Sequence, residues 1–114
     1  NTPLQALTLL NHPAYVEMAL ALAGRIAASE PRDDRARAET GFRHVLVRPP
    51  TSEEVDQLLR LFREARDGFR SRPKDAAALI PQDRRIDGVP LEDQAAWFYV
   101  SNLLLNLDET VTKN

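Results

Sequence analysis

Eight prolines divide this sequence into windows, and each long window carries the hydrophobic period of an α-helix. Proline fits the first turn of a helix but breaks a helix interior, so each proline marks a place where a helix begins or ends. The prolines are Pro3, Pro13, Pro31, Pro49, Pro50, Pro73, Pro81 and Pro90. No window shows the alternation of a β-strand or the signal of a tight hairpin. The sequence therefore predicts an all-α fold, a compact bundle of about five to six helices with no sheet.

The first half of the chain contains three predicted helices. We expect a short helix over residues 3–10 and a second helix over 13–29 that is apolar around more than half of its circumference. A helix of that kind is expected to lie centrally in the bundle. The third helix, capped by Asp33 or Asp34, is expected to end near residue 48.

The second half begins with the clearest helix signal in the chain. Thr51 and Glu54 have the spacing of a capping box, and the helix that follows has one apolar face and one charged face. Segment 71–90 has no sustained pattern and is predicted to be an irregular loop, in which residues 74–80 have the length for one or two helical turns. A last helix is expected from Pro90 to about Leu107, again apolar around most of its circumference and again central.

The composition excludes several kinds of chemistry. The 114 residues include no cysteine, which excludes thiolate catalysis, cysteine-ligated zinc, iron–sulfur clusters and haem attachment on this segment. The chain carries 15 basic and 17 acidic residues, and this balance argues against a general nucleic-acid binder. Its four glycines are isolated, so no phosphate-binding loop is present, and no serine lies in a GxSxG motif. No apolar run approaches the ~20 residues that span a membrane.

The remaining titratable residues do not form a catalytic pattern. His12 and His44 are far apart and lack the partners that a metal or haem-iron site needs. The adjacent acids Glu53 and Glu54 diverge by about 100° on a helix, and first-turn acids favour the helix dipole in any case. We therefore predict no catalytic residue, no cofactor and no metal ligand in this chain, and no enzyme activity.

The most unusual local feature is a set of asparagines among leucines. Asn102 and Asn106 lie in the leucine-rich last helix, and Asn11 lies at the break between the first two helices. A buried amide costs free energy unless it is hydrogen-bonded. The three asparagines are therefore candidates either for structural bridges between helices or for a polar notch that receives another domain.

Arginine outnumbers lysine thirteen to two, and this bias suggests a candidate anion patch. Its members would be Arg60, Arg63, Arg66, Arg70, Arg84 and Arg85. One interpretation is a site for sulfated polysaccharide or another anion. The other is a solvated, salt-bridged helix face, because Glu64 and Asp67 alternate with the helical arginines.

Three stretches resemble a known family. They are NTPLQALTLLN at residues 1–11, followed by Pro13, then FRHVLVRPPT at 42–51, and LLNLDET at 104–110. Together they resemble the C-terminal part of DUF1553, a planctomycete domain of unknown function that accompanies cytochrome c domains. The resemblance spans nearly the whole chain. It departs from the family pattern at His12, where an acidic or amide residue is usual.

The resemblance implies a large exported protein whose relatives carry haem-binding CxxCH motifs upstream, and hence a periplasmic or extracellular location. The family has no established activity, so no site residue is implied. We expect residues 1–114 to form one helical domain of such a protein, a non-catalytic interaction module for its upstream domains or for a protein partner. The alternative is an accessory part of an enzyme or cytochrome-linked redox protein that completes a cleft or docks a haem domain.

Overall fold

Five α-helices and one short 3-10 turn occur in a computed structural model that describes residues 13–30, 32–46 and 48–106. The helices are α1 (Pro13–Ala28), α2 (Asp34–Val45), α3 (Ser52–Ser71), α4 (Pro73–Leu79) and α5 (Leu91–Asn106), and the 3-10 turn Gln82–Arg84 precedes α5. No strand occurs in these ranges, so the all-α prediction is confirmed. The predicted helix over residues 3–10 lies outside the described residues.

Helix α5 lies at the centre of the bundle, as expected. It packs against α1 and α3 along most of its length and also contacts α2 and α4. Every residue from Gln94 to Leu104 is buried except Tyr99, which is half-buried. The neighbours of α5 therefore enclose the apolar circumference that marked this helix as central.

Small residues allow α1, α2 and α5 to approach one another closely. Ala19, Ala23 and Ala27 of α1 are all buried. A methyl group on Gly41 of α2 would lie only 2.7 Å from the Cδ1 atom of Ile26 on α1. The close approach of these helices therefore depends on the missing side chain at Gly41.

A buried arginine closes the end of α1. The Nη2 atom of Arg37 on α2 donates a hydrogen bond of 2.7 Å to the carbonyl oxygen of Ala27 in the last turn of α1. The last carbonyls of a helix have no partner within the helix and carry partial negative charge. A cationic donor at this position satisfies one of them and links α1 to α2.

The predicted caps form. Asp33 caps α2 by accepting a hydrogen bond of 3.1 Å from the backbone amide of Ala36. The Thr51 hydroxyl accepts from the Glu54 amide at 3.1 Å, and the Glu54 carboxylate accepts from the Thr51 amide at 2.8 Å, which completes the capping box of α3. Helix α2 ends earlier than expected, at Val45, because the next residue is extended and its side chain turns into the core.

Segment 71–90 is more regular than the predicted loop. Pro73 occupies the first turn of α4, where its missing amide has no cost, and Ala76 and Ile80 are buried. The short helix forms because it places these two apolar side chains in the core beside α3 and α5. Residues 85–90 are irregular, as expected for the whole segment.

Candidate interaction surface

Two arginines of the candidate anion patch connect α3 to other helices. The guanidinium of Arg66 lies over the ring of Phe62, 5.3 Å from its centroid, and is 3.7 Å from the carboxylate of Asp34 on α2. Arg70 lies 3.6 Å from the carboxylate of Glu92 on α5. Both side chains are therefore engaged in contacts between helices.

The arginines of the 3-10 segment have separate partners. Arg84 forms an ion pair with Glu17 of α1. The Nε atom of Arg85 donates to the carbonyl oxygen of Ile80 at 3.2 Å, near the end of α4. These contacts hold the segment in place, and they direct the two arginines to different partners rather than to one shared anion site.

Two of the six arginines have neither an ion-pair nor a hydrogen-bond partner among the described residues. Arg60 and Arg63 lie on the solvent side of α3 and form no ion pair with any residue that the structure describes. The six candidates are thus divided among interhelical contacts, backbone contacts and open solvent. The structure does not bring them together as one cationic surface.

The candidate polar notch is also divided. Asn102 is buried, and its Nδ2 atom donates to the carbonyl oxygen of Phe98, one turn earlier in its own helix, at 3.1 Å. Asn106 is half-buried at the last residue of α5. Asn11 lies outside the described residues. Asn102 therefore bonds within α5 and does not bridge to another helix through this amide hydrogen.

Two buried polar atoms of α5 lack a hydrogen-bond partner in the described part of the chain, one on a serine beside Asn102 and one on a tryptophan. The Oγ atom of Ser101 and the Nε1 atom of Trp97 have no hydrogen-bond partner within the described ranges, and both side chains are fully buried. Their spacing places them one turn apart on the same face of α5. That spacing was visible in the sequence, but only the packing shows that this face is enclosed.

The exposed apolar feature of the described bundle lies on α1. Tyr15 and Met18 are 37% and 49% exposed, and they are the large hydrophobic side chains that remain exposed in the described part of the chain. Helical spacing places them on one stripe with Leu22 and Arg25. The apolar excess of α1 is therefore only partly covered by the bundle.

Met18 borders an open groove of about 300 Å³, which we call the α1 groove. Its lining residues are Met18, Ala21, Leu22 and Arg25 of α1, His44 and Val45 of α2, and Leu105 of α5. The lining includes two basic side chains and no acidic one. Arg25 is exposed and forms no ion pair with a described residue.

A second groove, of about 250 Å³, lies where α2, α3 and α5 meet, and its charges are already matched. Arg48 lies over the ring of Phe42 and donates two hydrogen bonds of 2.9 Å to the carboxylate of Glu54. These bonds, together with the bond from the Thr51 amide, lower the pKa of Glu54 from 4.5 to about 2. Since the two charges neutralise each other, the α1 groove has the more distinctive electrostatic character.

The described ranges contain neither a metal-binding cluster nor a membrane-spanning helix. No group of three or more histidine, aspartate or glutamate side chains in the described ranges has the arrangement to hold a metal ion. None of the helices in those ranges is both long enough and apolar enough to cross a bilayer.

Comparison with known families gives one match. The model of the PSD1 family, described as a protein of unknown function (DUF1553), matches residues 1–62, more than half of the 114-residue chain. The chain belongs to the DUF1553 family. No curated protein and no solved structure matches it. The part that matches DUF1553 contains every lining residue of the α1 groove except Leu105.

Proposed function

We propose that this DUF1553 domain is a non-catalytic helical interaction module whose α1 groove binds another polypeptide. The observation that supports the proposal is the exposure of Tyr15 and Met18 beside an apolar groove. Exposed apolar surface that adjoins a groove is typical of protein-binding sites. Methionine suits such a site because its unbranched side chain adapts to different partners.

The contrast between two helices of the bundle strengthens this argument. Helices α1 and α5 are both rich in apolar residues, yet α5 is enclosed by its neighbours while the stripe of Tyr15 and Met18 on α1 is not. Ala19, Leu22 and Ile26 of α1 belong to the buried core, whereas Met18 does not. The exposed half of the Met18 side chain therefore lies outside the packed core of the described bundle, where a partner can contact it.

The partner in this proposal is an upstream domain of a larger exported protein or a separate partner protein. The resemblance to planctomycete proteins that carry cytochrome c domains supports such a setting. Binding of a neighbouring domain would cover the apolar stripe, and that role needs no catalytic residue.

A photo-crosslinking amino acid tests this function directly. The amino acid replaces Met18 in the intact protein, which is produced in its own host. A control protein carries it at Lys74 on α4 instead, because Lys74 is exposed and does not line the groove. We expect position 18, and not position 74, to give a defined crosslink that mass spectrometry assigns to one segment of polypeptide. Equal crosslinking at both positions, or none at position 18, contradicts the proposal.

Ionic strength separates this function from docking to a haem domain. Complexes held by exposed charges weaken strongly as salt rises, whereas apolar contacts do not. We expect the crosslink at position 18 to persist between about 0.05 and 0.5 M salt. Loss of the crosslink over this range would instead favour the cytochrome-linked alternative.

A further inference from the structure

We infer that the α1 groove receives an amphipathic helix that carries an acidic side chain on its flank. This inference rests on the proposed function and names the chemistry of the partner. Three features of the groove lead to it, namely its walls, the sign of its charges and the position of Arg25.

The walls of the groove fit a helix. They come from the sides of α1 and α2 and from the end of α5, and the apolar members are Met18, Leu22, Val45 and Leu105 with the small residue Ala21 between them. A valley between helices accepts the ridge that side chains form at helical spacing on another helix. A partner strand would instead need an unpaired sheet edge, and the described ranges contain no strand.

The charges of the groove select an acidic partner. Arg25 and His44 are its basic members, and no acidic residue lines it. Glu17, which is next to Met18 in the sequence, lies about 100° away around α1 and pairs with Arg84. A carboxylate supplied by the partner would therefore give Arg25 an ion pair that the described residues do not provide.

The position of Arg25 fixes where that carboxylate lies. Arg25 follows Met18 by two helical turns, a distance of roughly 10 Å along α1. A partner helix that places an apolar side chain over Met18 and lies along α1 therefore brings a residue about two turns away next to Arg25. The inferred partner has an apolar ridge and an aspartate or glutamate beside it, about two turns from the residue that covers Met18.

The same charges argue against two other occupants. In a symmetric pair of copies the same surface faces itself, and the residues that line the groove would bring no acidic side chain to Arg25. A nucleic acid would need many more phosphate contacts than Arg25 and His44 supply, and the chain carries a net charge of -2.

Synthetic helices test the inference on the 114-residue chain. The probes are three labelled peptides of about 20 residues with the same leucine ridge and with glutamate, glutamine or lysine at the flanking positions. We expect fluorescence anisotropy to show that the glutamate peptide binds about tenfold more tightly than the lysine peptide. Arg25→Glu reverses this order. Arg63→Glu, the same charge change at an exposed site on α3, leaves it unchanged.

The remaining outcomes separate the inference from the proposed function. If all three peptides bind equally and Met18→Asp abolishes their binding, the acidic preference is overturned while the groove remains a binding site. If no peptide binds, the inference is overturned, and the crosslink at position 18 decides the proposed function on its own.

Self-association and stability measurements identify the other possible occupants. A dimer in sedimentation experiments that Met18→Asp dissociates would assign the groove to a second copy. A melting temperature that Met18→Asp lowers by more than about 5 °C would show that the chain itself covers Met18. Either result overturns the inference.

Discussion

The ring of Phe62 on α3 stacks on the ring of Trp97 on α5, with centroids 4.0 Å apart and planes inclined by 20°. Both side chains are fully buried. Phe62 is the last residue of the part that matches DUF1553, and Trp97 lies outside that part. The central aromatic contact therefore joins the matched part of the chain to the residues that follow it.

Truncation of Trp97 tests the weight of this contact. We expect Trp97→Ala to lower the free energy of unfolding by about 3–5 kcal/mol, because it leaves a cavity against Phe62. Trp97→Phe should cost only about 1–2 kcal/mol, because it keeps an aromatic ring and removes an indole N–H that has no partner among the described residues. Urea unfolding measures both. Equal losses would show that a phenyl ring at position 97 recovers none of the contact with Phe62, which contradicts the prediction.

The unpartnered hydroxyl of Ser101 predicts a stabilising substitution. We expect Ser101→Ala to raise the free energy of unfolding by about 1 kcal/mol, since it removes a buried polar atom and alanine favours the helix. Asn102→Ala is the matched control, because its buried amide donates to Phe98 and its loss should destabilise. If Ser101→Ala destabilises as Asn102→Ala does, the hydroxyl is satisfied, for example by a buried water molecule.

Much of the fold was predictable because its signals are local. The capping box of Thr51 and Glu54 needs only a three-residue spacing, whereas α4 was not predicted as a helix, because it forms by burying Ala76 and Ile80 against distant parts of the chain. The additional bonds from Arg48 to Glu54 were not predictable, since they depend on how the chain turns between α2 and α3. Local rules predict where a capped helix begins, whereas tertiary contacts determine which further partners its capping residues bind.

The candidate surface was predictable only in part. The apolar excess of α1 and α5 is visible in the sequence, but their patterns are too similar to show which helix the bundle leaves exposed at Met18. Helical spacing places Arg66 and Arg70 on one side of α3. It cannot show that Asp34 and Glu92 approach them from other helices, because those contacts join distant parts of the chain.

The low pKa of Glu54 predicts a pH-dependent contribution to stability. Folding lowers this pKa from 4.5 to about 2, so the contribution is complete above pH 4.5 and is lost as the pH falls to about 2. The side chain is 31% exposed, so solvent screening limits the ion pair with Arg48 to about 1 kcal/mol. Glu54→Gln should remove this contribution while its amide oxygen still caps the Thr51 amide.

Urea unfolding at several pH values between about 7 and 2 measures this effect. The difference in free energy of unfolding between the wild type and Glu54→Gln should shrink toward zero as the pH falls. Glu53→Gln, at an exposed neighbouring position, is the control and should show a smaller difference. A difference for Glu54→Gln that stays constant over this range would contradict the prediction.

Gln94 anchors the segment between α4 and α5. Its buried side chain donates to the carbonyl oxygen of Arg84 and accepts from the backbone amide of Ile86 at 3.2 Å. We expect Gln94→Ala to speed trypsin cleavage after Arg84 and Arg85 by about tenfold, because loss of two hydrogen bonds favours local opening. Gln82→Ala, at an exposed position of the same segment, should leave the rate unchanged. Equal rates in the two variants would show that other contacts hold the segment.

Two glycines predict opposite effects of the same substitution. Gly24→Ala on α1 should raise the free energy of unfolding by about 0.5–1 kcal/mol, because no heavy atom lies within 4 Å of the new methyl group and alanine favours the helix. At Gly41 the methyl group would lie 2.7 Å from the Cδ1 atom of Ile26 and 3.2 Å from that of Leu104. Ile26 and Leu104 are fully buried and have no open space to turn into.

The crowding at Gly41 should outweigh the helical preference of alanine. We expect Gly41→Ala to lower the free energy of unfolding by about 1–2 kcal/mol net, with the loss measured by urea unfolding beside that of Gly24→Ala. The double variant Gly41→Ala with Ile26→Val separates crowding from other causes. Valine lacks the Cδ1 atom that the new methyl group meets, so the double variant should be less destabilised than the sum of the two single variants. Additive losses would show that crowding between α1 and α2 does not cause the destabilisation by Gly41→Ala.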